Sequence, residues 1–204
     1  MISKLEIANY FVEGGDAMST EFENLLVFHC SPTLMRLKAS NLICCPKGKF
    51  EDLPGILESY NLWMNPLDIF LKPLWETEKR LMVLVYRKTA LRQRLEESAV
   101  MDFLEAFGYP RTLDVETALR QLQKNIGISG EFPHEIGIFL DYPLEDVVGF
   151  IRNNGKNCKA CGCWKVYGDV EKNLRLFETY SRCREHLFRQ LTRGRTVQEL
   201  LLAV

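Results

Sequence analysis

The chain has 204 residues, of which 47% are hydrophobic and 26% charged, a balance that excludes a disordered or collagen-like protein. Its formal net charge of −1 creates no overall field that would attract nucleic acid or a membrane surface. The seven cysteines are an odd number, which is not typical of a disulfide framework.

No part of the sequence has the pattern of a secretory or membrane-spanning segment. Residues 1–12 contain Lys4 and Glu6 and lack the apolar core of a signal peptide. The longest apolar run, residues 81–86, is far shorter than the roughly 20 residues that cross a bilayer. We therefore expect a cytoplasmic protein without a membrane partner, whose cysteines are thiols or metal ligands.

Five short apolar runs, each followed by a helical pattern, predict the fold. They occupy residues 25–28, 42–45, 81–86, 136–140 and 163–167. This alternation is typical of an α/β protein whose sheet is covered by helices on both faces. We predict a single three-layer domain over residues 1–204, with about five strands in a mostly parallel or mixed sheet. Residues 1–23 would be a lead-in segment, and residues 169–204 a helical segment packed on the domain.

Helix signals follow several of these runs. Ser31 and Pro32 fit the N-cap and first turn of a helix after the first run, and Asp169 fits the N-cap of the long last helix. One helix between them has an apolar stripe at helical spacing, formed by Val115, Leu119, Leu122 and Ile126.

Polar side chains at the ends of the predicted strands suit a binding site. Ligands of open parallel α/β sheets bind beyond the carboxyl ends of the strands. The candidate ligand-binding residues are His29, Arg87, Tyr142, Lys165 and Tyr167. Such a rim would hold a small anionic or metal-containing ligand, whereas the alternative is that these side chains only cap helices and pack. A nucleotide is disfavoured because the GxxxxGK[ST] and GxGxxG loops are absent.

Cys30 is the candidate nucleophile of a thiol-dependent enzyme. In the predicted fold it directly precedes a helix, whose N-terminus would lower the pKa of the thiol. His134 and Asp141 would complete a catalytic triad with it. Because Cys30 ends the first predicted strand and His134 begins the fourth, they could meet only if these strands were antiparallel. The alternative is a small buried thiol.

A second group of cysteines favours a metal site. Cys158 and Cys161 have the CxxC spacing with which two thiolates bind one ion, and Cys183 and His186 follow three residues apart. Zinc or an iron–sulfur cluster would suit these ligands, in a metal-binding or adaptor protein. The alternative is a turn before a strand, with Cys183 in the core.

Positive charge is concentrated towards the C-terminal end. Residues 152–195 contain eleven Lys and Arg and four Asp and Glu, an excess of seven positive charges. The excess suits an anionic ligand, but no nucleic-acid-binding motif accompanies it, so nucleic acid is disfavoured. A solvated helix face is the alternative. A redox protein stays open as a partner, and the sequence does not specify the oligomeric state.

Three segments resemble a family of uncharacterised proteins. They are residues 28–34 (FHCSPTL), 132–147 (FPHEIGIFLDYPLEDV) and 161–169 (CGCWKVYGD), called the motif segments below. Over residues 25–184 the chain is similar to a domain of unknown function found mainly in clostridia and related anaerobic Firmicutes. The resemblance implies no established activity. It implies a link to iron or redox physiology through neighbouring flavodoxin and ferrous-iron transport genes. It also implies that Cys163 is not an essential ligand, because the family often has an aromatic residue there.

Overall fold

The computed structural model describes residues 17–111, 114–129 and 132–203. The first half of the described chain contains α1 (Ala17–Leu34), β1 (Ser40–Pro46), α2 (Leu53–Met64), β2 (Ile69–Glu76), β3 (Arg80–Arg87), α3 (Lys88–Leu95) and α4 (Ser98–Glu105). The second half contains α5 (Val115–Ser129), α6 (Ile136–Phe139), α7 (Leu144–Arg152), β4 (Ala160–Cys161), β5 (Lys165–Val166), α8 (Val170–Leu191) and α9 (Val197–Leu202). Residues 1–16 of the predicted lead-in segment lie outside the described residues.

The main sheet is antiparallel and has the strand order β1–β3–β2. Along the central strand, Val83 and Val85 belong to one apolar core, whereas Leu84 and Tyr86 belong to another. Because successive residues of a strand point to opposite faces, each face of the sheet has its own core. The prediction of a mixed α/β protein with helices on both faces of a sheet is confirmed.

The two cores are built from different parts of the chain. The helices α1 and α2 cover one face together with α9 and the end of α8, and they supply Leu26, Leu57, Leu187 and Leu201. The helices α3 to α7 cover the other face. The short β4–β5 hairpin forms a separate small sheet beside α7 and α8.

The predicted sheet of five mostly parallel strands is wrong. Residues 25–28 lie inside α1, residues 136–140 form α6 and a turn, and only Lys165–Val166 of the last run is a strand. In α1 the buried side chains recur every four residues, as at Phe22, Leu26 and Cys30. A deeply buried helix therefore produces a short apolar run that resembles a strand.

The strand β2 is missing from the sequence prediction. It contains Pro73, which cannot donate a hydrogen bond within a sheet and so argues against a central strand. The structure places β2 at the edge of the sheet, with an irregular register between Pro73 and Trp75. An edge strand tolerates proline because one side of its backbone has no neighbouring strand.

Other local predictions agree with the structure. The stripe of Val115, Leu119, Leu122 and Ile126 is buried on α5, and the Asp169 carboxylate accepts the N–H of Lys172 at the start of α8. Pro32 lies in the last turn of α1 and not at a helix start, so that prediction is wrong. No helix in the described ranges is long and apolar enough to cross a membrane.

Candidate functional site

A buried lysine, Lys38, lies in the connection between α1 and β1. Arg87 stabilises the preceding helix end, because its guanidinium donates to the carbonyl oxygens of Thr33 at 2.8 Å and Leu34 at 2.5 Å, which have no partner within the helix. It also donates to the carbonyl oxygen of Leu67 at 3.1 Å. Beyond this fixed helix end the Lys38 side chain turns inward and is only 6% exposed.

The second motif segment reaches Lys38 through Asp141. This residue has a positive φ of 58°, and its carboxylate accepts the backbone N–H of Ala39 at 2.9 Å. The bond docks the turn after α6 onto the start of β1. As a result the neighbouring ring of Tyr142 lies against Lys38, with the Lys38 nitrogen 4.9 Å from the ring centroid.

Aromatic side chains of the third motif segment and α8 pack around Tyr142. Trp164 stacks on Tyr142 with the ring centroids 4.7 Å apart, and Phe177 meets Trp164 edge to face at 4.5 Å. Tyr180 lies 6.4 Å from Trp164. Gly162 allows this packing, since a Cβ atom there would lie 2.3 Å from the Phe177 ring.

Asp146, buried in α7, fixes the position of Trp164. Its carboxylate accepts the indole N–H of Trp164 at 2.8 Å and the backbone N–H groups of Tyr167 at 2.7 Å and Gly168 at 2.8 Å. These charge-assisted bonds join the second and third motif segments directly.

Two cations from distant parts of the chain lie near the Cys163 thiol. Cys163 is an exposed residue, but its thiol is partly shielded from water by the protein. This shielding raises the pKa of Cys163, and the charges of Lys38 and Arg184 partly oppose the rise. The Arg184 guanidinium also lies 5.2 Å from the centroid of the Phe28 ring. The residues around this thiol are called the Lys38 cluster, which consists of Lys38, Asp141, Tyr142, Cys163, Tyr180 and Arg184.

The two cations of the Lys38 cluster contact aromatic rings but have few polar partners in the part of the chain that the structure describes. Among the described residues, Lys38 forms no hydrogen bond or ion pair, and the buried Nε of Arg184 has no hydrogen-bond partner. The Asp141 carboxylate, whose charge acts on Lys38, accepts the Ala39 N–H and lies 3.9 Å from the Arg94 Nε. The charge of Asp141 is therefore shared with groups outside the cluster.

Burial also shifts the pKa values of the lysine and the two tyrosines in the cluster. It lowers the pKa of Lys38 to about 8, against the opposing charge of Asp141. It raises the pKa of Tyr142 to about 12 and the pKa of Tyr180 above its ordinary value. Both phenols therefore keep their protons at neutral pH and remain hydrogen-bond donors.

Cys30, the predicted nucleophile, lies inside α1 and does not precede a helix start. It is fully buried, and burial raises the pKa of its thiol. No hydrogen bond joins it to His134, whose ring meets Phe150 edge to face at 5.3 Å. Asp141, the third member of the predicted triad, belongs to the Lys38 cluster. The reasons for expecting a reactive thiolate at Cys30 therefore do not hold in this fold.

Two of the predicted ligand-binding residues lie in or beside the Lys38 cluster. Tyr142 is a member of it. His29 lies next to Arg184, and its pKa is lowered by burial and by the charge of Arg184. The shared rim predicted from parallel strands is absent, because the ends of antiparallel strands alternate between two edges of a sheet.

The other predicted ligand-binding residues contact the protein itself. Arg87 holds the end of α1, as described above. Lys165 donates to the carbonyl oxygen of Gly155 at 2.7 Å. The hydroxyl of Tyr167 donates to the carbonyl oxygen of Lys156 at 3.0 Å. These donors are occupied by the backbone, so we do not include them in the candidate site.

The predicted metal ligands do not converge in the structure. All four cysteines of the C-terminal half are free thiols. Across the ranges that the structure describes, no three His, Cys, Asp or Glu side chains are grouped to hold a metal ion. The geometry of Cys158, Cys161, Cys183 and His186 therefore gives no support to a zinc or iron–sulfur site.

Fold and site together define a mixed α/β protein with a small antiparallel sheet and a cationic cluster to which the second and third motif segments contribute. Over residues 26–201 the sequence matches the family model described as "Protein of unknown function (DUF3793)", and the chain belongs to this family. The predicted membership of an uncharacterised family is thus confirmed. No curated protein and no solved structure matches the chain.

Sequence reasoning misses four members of the Lys38 cluster, one of which, Cys163, it sets aside as a non-essential ligand. Tyr180 and Arg184 are four residues apart on the predicted last helix, a spacing that places them on one face. Arg184 also belongs to the positively charged segment that suggests an anion. Lys38 has no such signal, because a lysine in a connection between elements is ordinarily exposed.

Proposed function

We propose that this protein binds a small anion, a carboxylate or a phosphate, in the Lys38 cluster. One observation carries the proposal. Lys38 is a residue that is only 6% exposed, and its ammonium has neither a hydrogen bond nor an ion pair among the described residues. Buried charges in proteins are normally paired, because an isolated charge is costly to remove from water. An anion would offset that cost.

The remaining members of the cluster support an anion as ligand. Arg184 brings a second positive charge, and its buried Nε has no partner. The hydroxyl groups of Tyr142 and Tyr180 are neutral donors, which bind oxygen atoms of carboxylates and phosphates without adding charge. The ligand must be small, since the Tyr142 ring already covers Lys38 at 4.9 Å.

Isothermal titration calorimetry with inorganic phosphate, acetate and glyoxylate tests this proposal. We expect at least one of these anions to bind the wild type. We expect Lys38→Met and Arg184→Gln each to weaken that binding about tenfold or more, because each removes a charge-assisted contact.

Matched controls remove the same charges from exposed positions. Lys172→Met and Arg193→Gln change exposed residues and should leave the affinity unchanged. The proposal fails if the wild type binds none of the three anions, or if the control variants weaken binding as much as the cluster variants do.

A further inference from the structure

We propose that Lys38 is a carbonyl-reactive amine that condenses with the oxo group of a small oxo-carboxylate bound in the Lys38 cluster. This inference rests on the anion-binding function proposed above. It narrows the ligand to carboxylates that also carry an aldehyde or a ketone. It depends on an unpaired amine that lies against the Tyr142 ring, and on a face of α8 that reaches this ring through Trp164.

The first requirement is an amine whose lone pair is free to attack. The Lys38 nitrogen is bound by no hydrogen bond among the described residues, and it lies against the face of the Tyr142 ring. Burial favours the neutral form of an amine, in agreement with its pKa of about 8. The titratable groups that act on it are Asp141, Cys163 and Cys30.

The second requirement is a place for the carboxylate. Tyr180 and Arg184 are one turn apart on α8, so they lie on the same face of the helix. A guanidinium and a hydroxyl are suitable donors to a carboxylate. The ring contacts from Tyr142 to Trp164 at 4.7 Å and from Trp164 to Tyr180 at 6.4 Å place this face of α8 on the side of the Tyr142 ring where Lys38 lies. A carboxylate held at this face would direct its adjoining oxo carbon towards Lys38.

The condensation balances without an oxidant or a reductant. The Lys38 nitrogen lone pair attacks the carbonyl carbon, and the carbon–oxygen double bond is replaced by a carbon–nitrogen double bond. The oxygen leaves as water with two protons from the original ammonium group. The third proton stays on the resulting imine. The protonated Tyr142 hydroxyl is a suitable donor to the departing oxygen.

Trapping with glyoxylate and sodium cyanoborohydride tests the inference, since reduction of the imine leaves a stable carboxymethyl group on the amine. Peptide mass mapping at pH 7 should find Lys38 modified about tenfold or more faster than the exposed Lys172, because more of it is neutral. The Lys38→Arg variant should lose the fast reaction, whereas Lys172→Arg should retain it.

Acetaldehyde, which lacks a carboxylate, separates amine reactivity from anion recognition. Arg184→Gln should slow the modification of Lys38 by glyoxylate and leave its slower modification by acetaldehyde unchanged. If glyoxylate modifies Lys38 no faster than Lys172 while phosphate or acetate still binds in calorimetry, the reactive-amine inference is overturned and the anion-binding function stands. If both aldehydes modify Lys38 equally and Arg184→Gln has no effect, recognition of an anion is overturned as well.

Discussion

Two buried basic residues differ in what their charges contact. The guanidinium of Arg87 donates to three backbone carbonyl oxygens, so its hydrogen-bonding capacity is used in holding the end of α1. The ammonium of Lys38 has no such partner among the described residues. A buried charge that stabilises no part of the fold is expected to lower stability, and its presence at a cluster of donors suggests a ligand.

Lys38→Met should therefore make the ligand-free protein more stable at pH 7, by about 1–3 kcal/mol, since an apolar side chain of similar length replaces a desolvated charge. The folded-state pKa of Lys38 is lowered to about 8 from its ordinary 10.5. Between these two pKa values the unfolded chain binds more protons than the folded chain, so the stability of the wild type rises with pH. The advantage of the variant should shrink between pH 8 and pH 10.

Urea denaturation at pH 7 and pH 10 measures both effects. The exposed Lys172→Met is the control and should change stability by no more than about 0.5 kcal/mol. A Lys38→Met variant that is less stable than the wild type at pH 7 would contradict this account of a destabilising buried charge.

At the scale of elements, the β4–β5 hairpin depends on the helices beside it. Each of its strands has two paired residues, too few for a hairpin that is stable alone. The Asp146 carboxylate binds the indole of Trp164 and two backbone N–H groups of the hairpin. The helix α7 thereby positions the aromatic ring that stacks on Tyr142.

Asp146→Ala should lower the free energy of unfolding by about 3 kcal/mol, because it leaves one buried and two part-buried donors without their charged acceptor. Chemical denaturation followed by tryptophan fluorescence measures the loss. Glu145→Ala, which changes an exposed acid of the same helix turn, is the control and should cost much less. Similar losses for both variants would show that Asp146 does not hold the hairpin.

At the scale of the whole molecule, the C-terminal helix α9 packs with α1 and α2 in the apolar core on one face of the main sheet. Glu23 of α1 is the polar link between them, because its carboxylate accepts the N–H of Val197 and the hydroxyl of Tyr60, both at 3.4 Å. Burial is the largest effect on Glu23 and raises its pKa above the ordinary 4.5. The hydrogen bond from Val197 favours the ionised carboxylate, but burial outweighs it, so the ionised form stabilises the folded chain less than the neutral form does.

Glu23→Gln should make the protein more stable than the wild type at pH 7 and closer to it at pH 4. A carboxyl with a raised folded-state pKa binds more protons in the folded state, so wild-type stability falls as pH rises through that pKa. Glutamine keeps an acceptor for Val197 and has no charge to desolvate. Thermal unfolding at the two pH values measures the difference. The exposed Glu58→Gln should show no such pH dependence, and an equal response of both variants would contradict the prediction.

Local sequence signals predict the elements whose neighbours in the fold do not alter them. The stripe from Val115 to Ile126 predicts α5, and Asp169 predicts the start of α8. The strands β1 and β3 are recognisable because each is a short run of apolar residues between turn residues. By contrast, a run within α1 resembles a strand, and Pro73 conceals β2, because burial and edge position depend on the rest of the fold.

The sequence by itself determined the mixed α/β class, the start of α8 at Asp169 and the family, since these are local or cumulative properties of the residues. Only the tertiary structure decided that the sheet is antiparallel, which removes the predicted rim. Only the tertiary structure brought Lys38 to Tyr142, Cys163 and Arg184. Long-range contacts, such as the bond between Ala39 and Asp141, determine which charged residue becomes buried, and no local pattern around Lys38 encodes them.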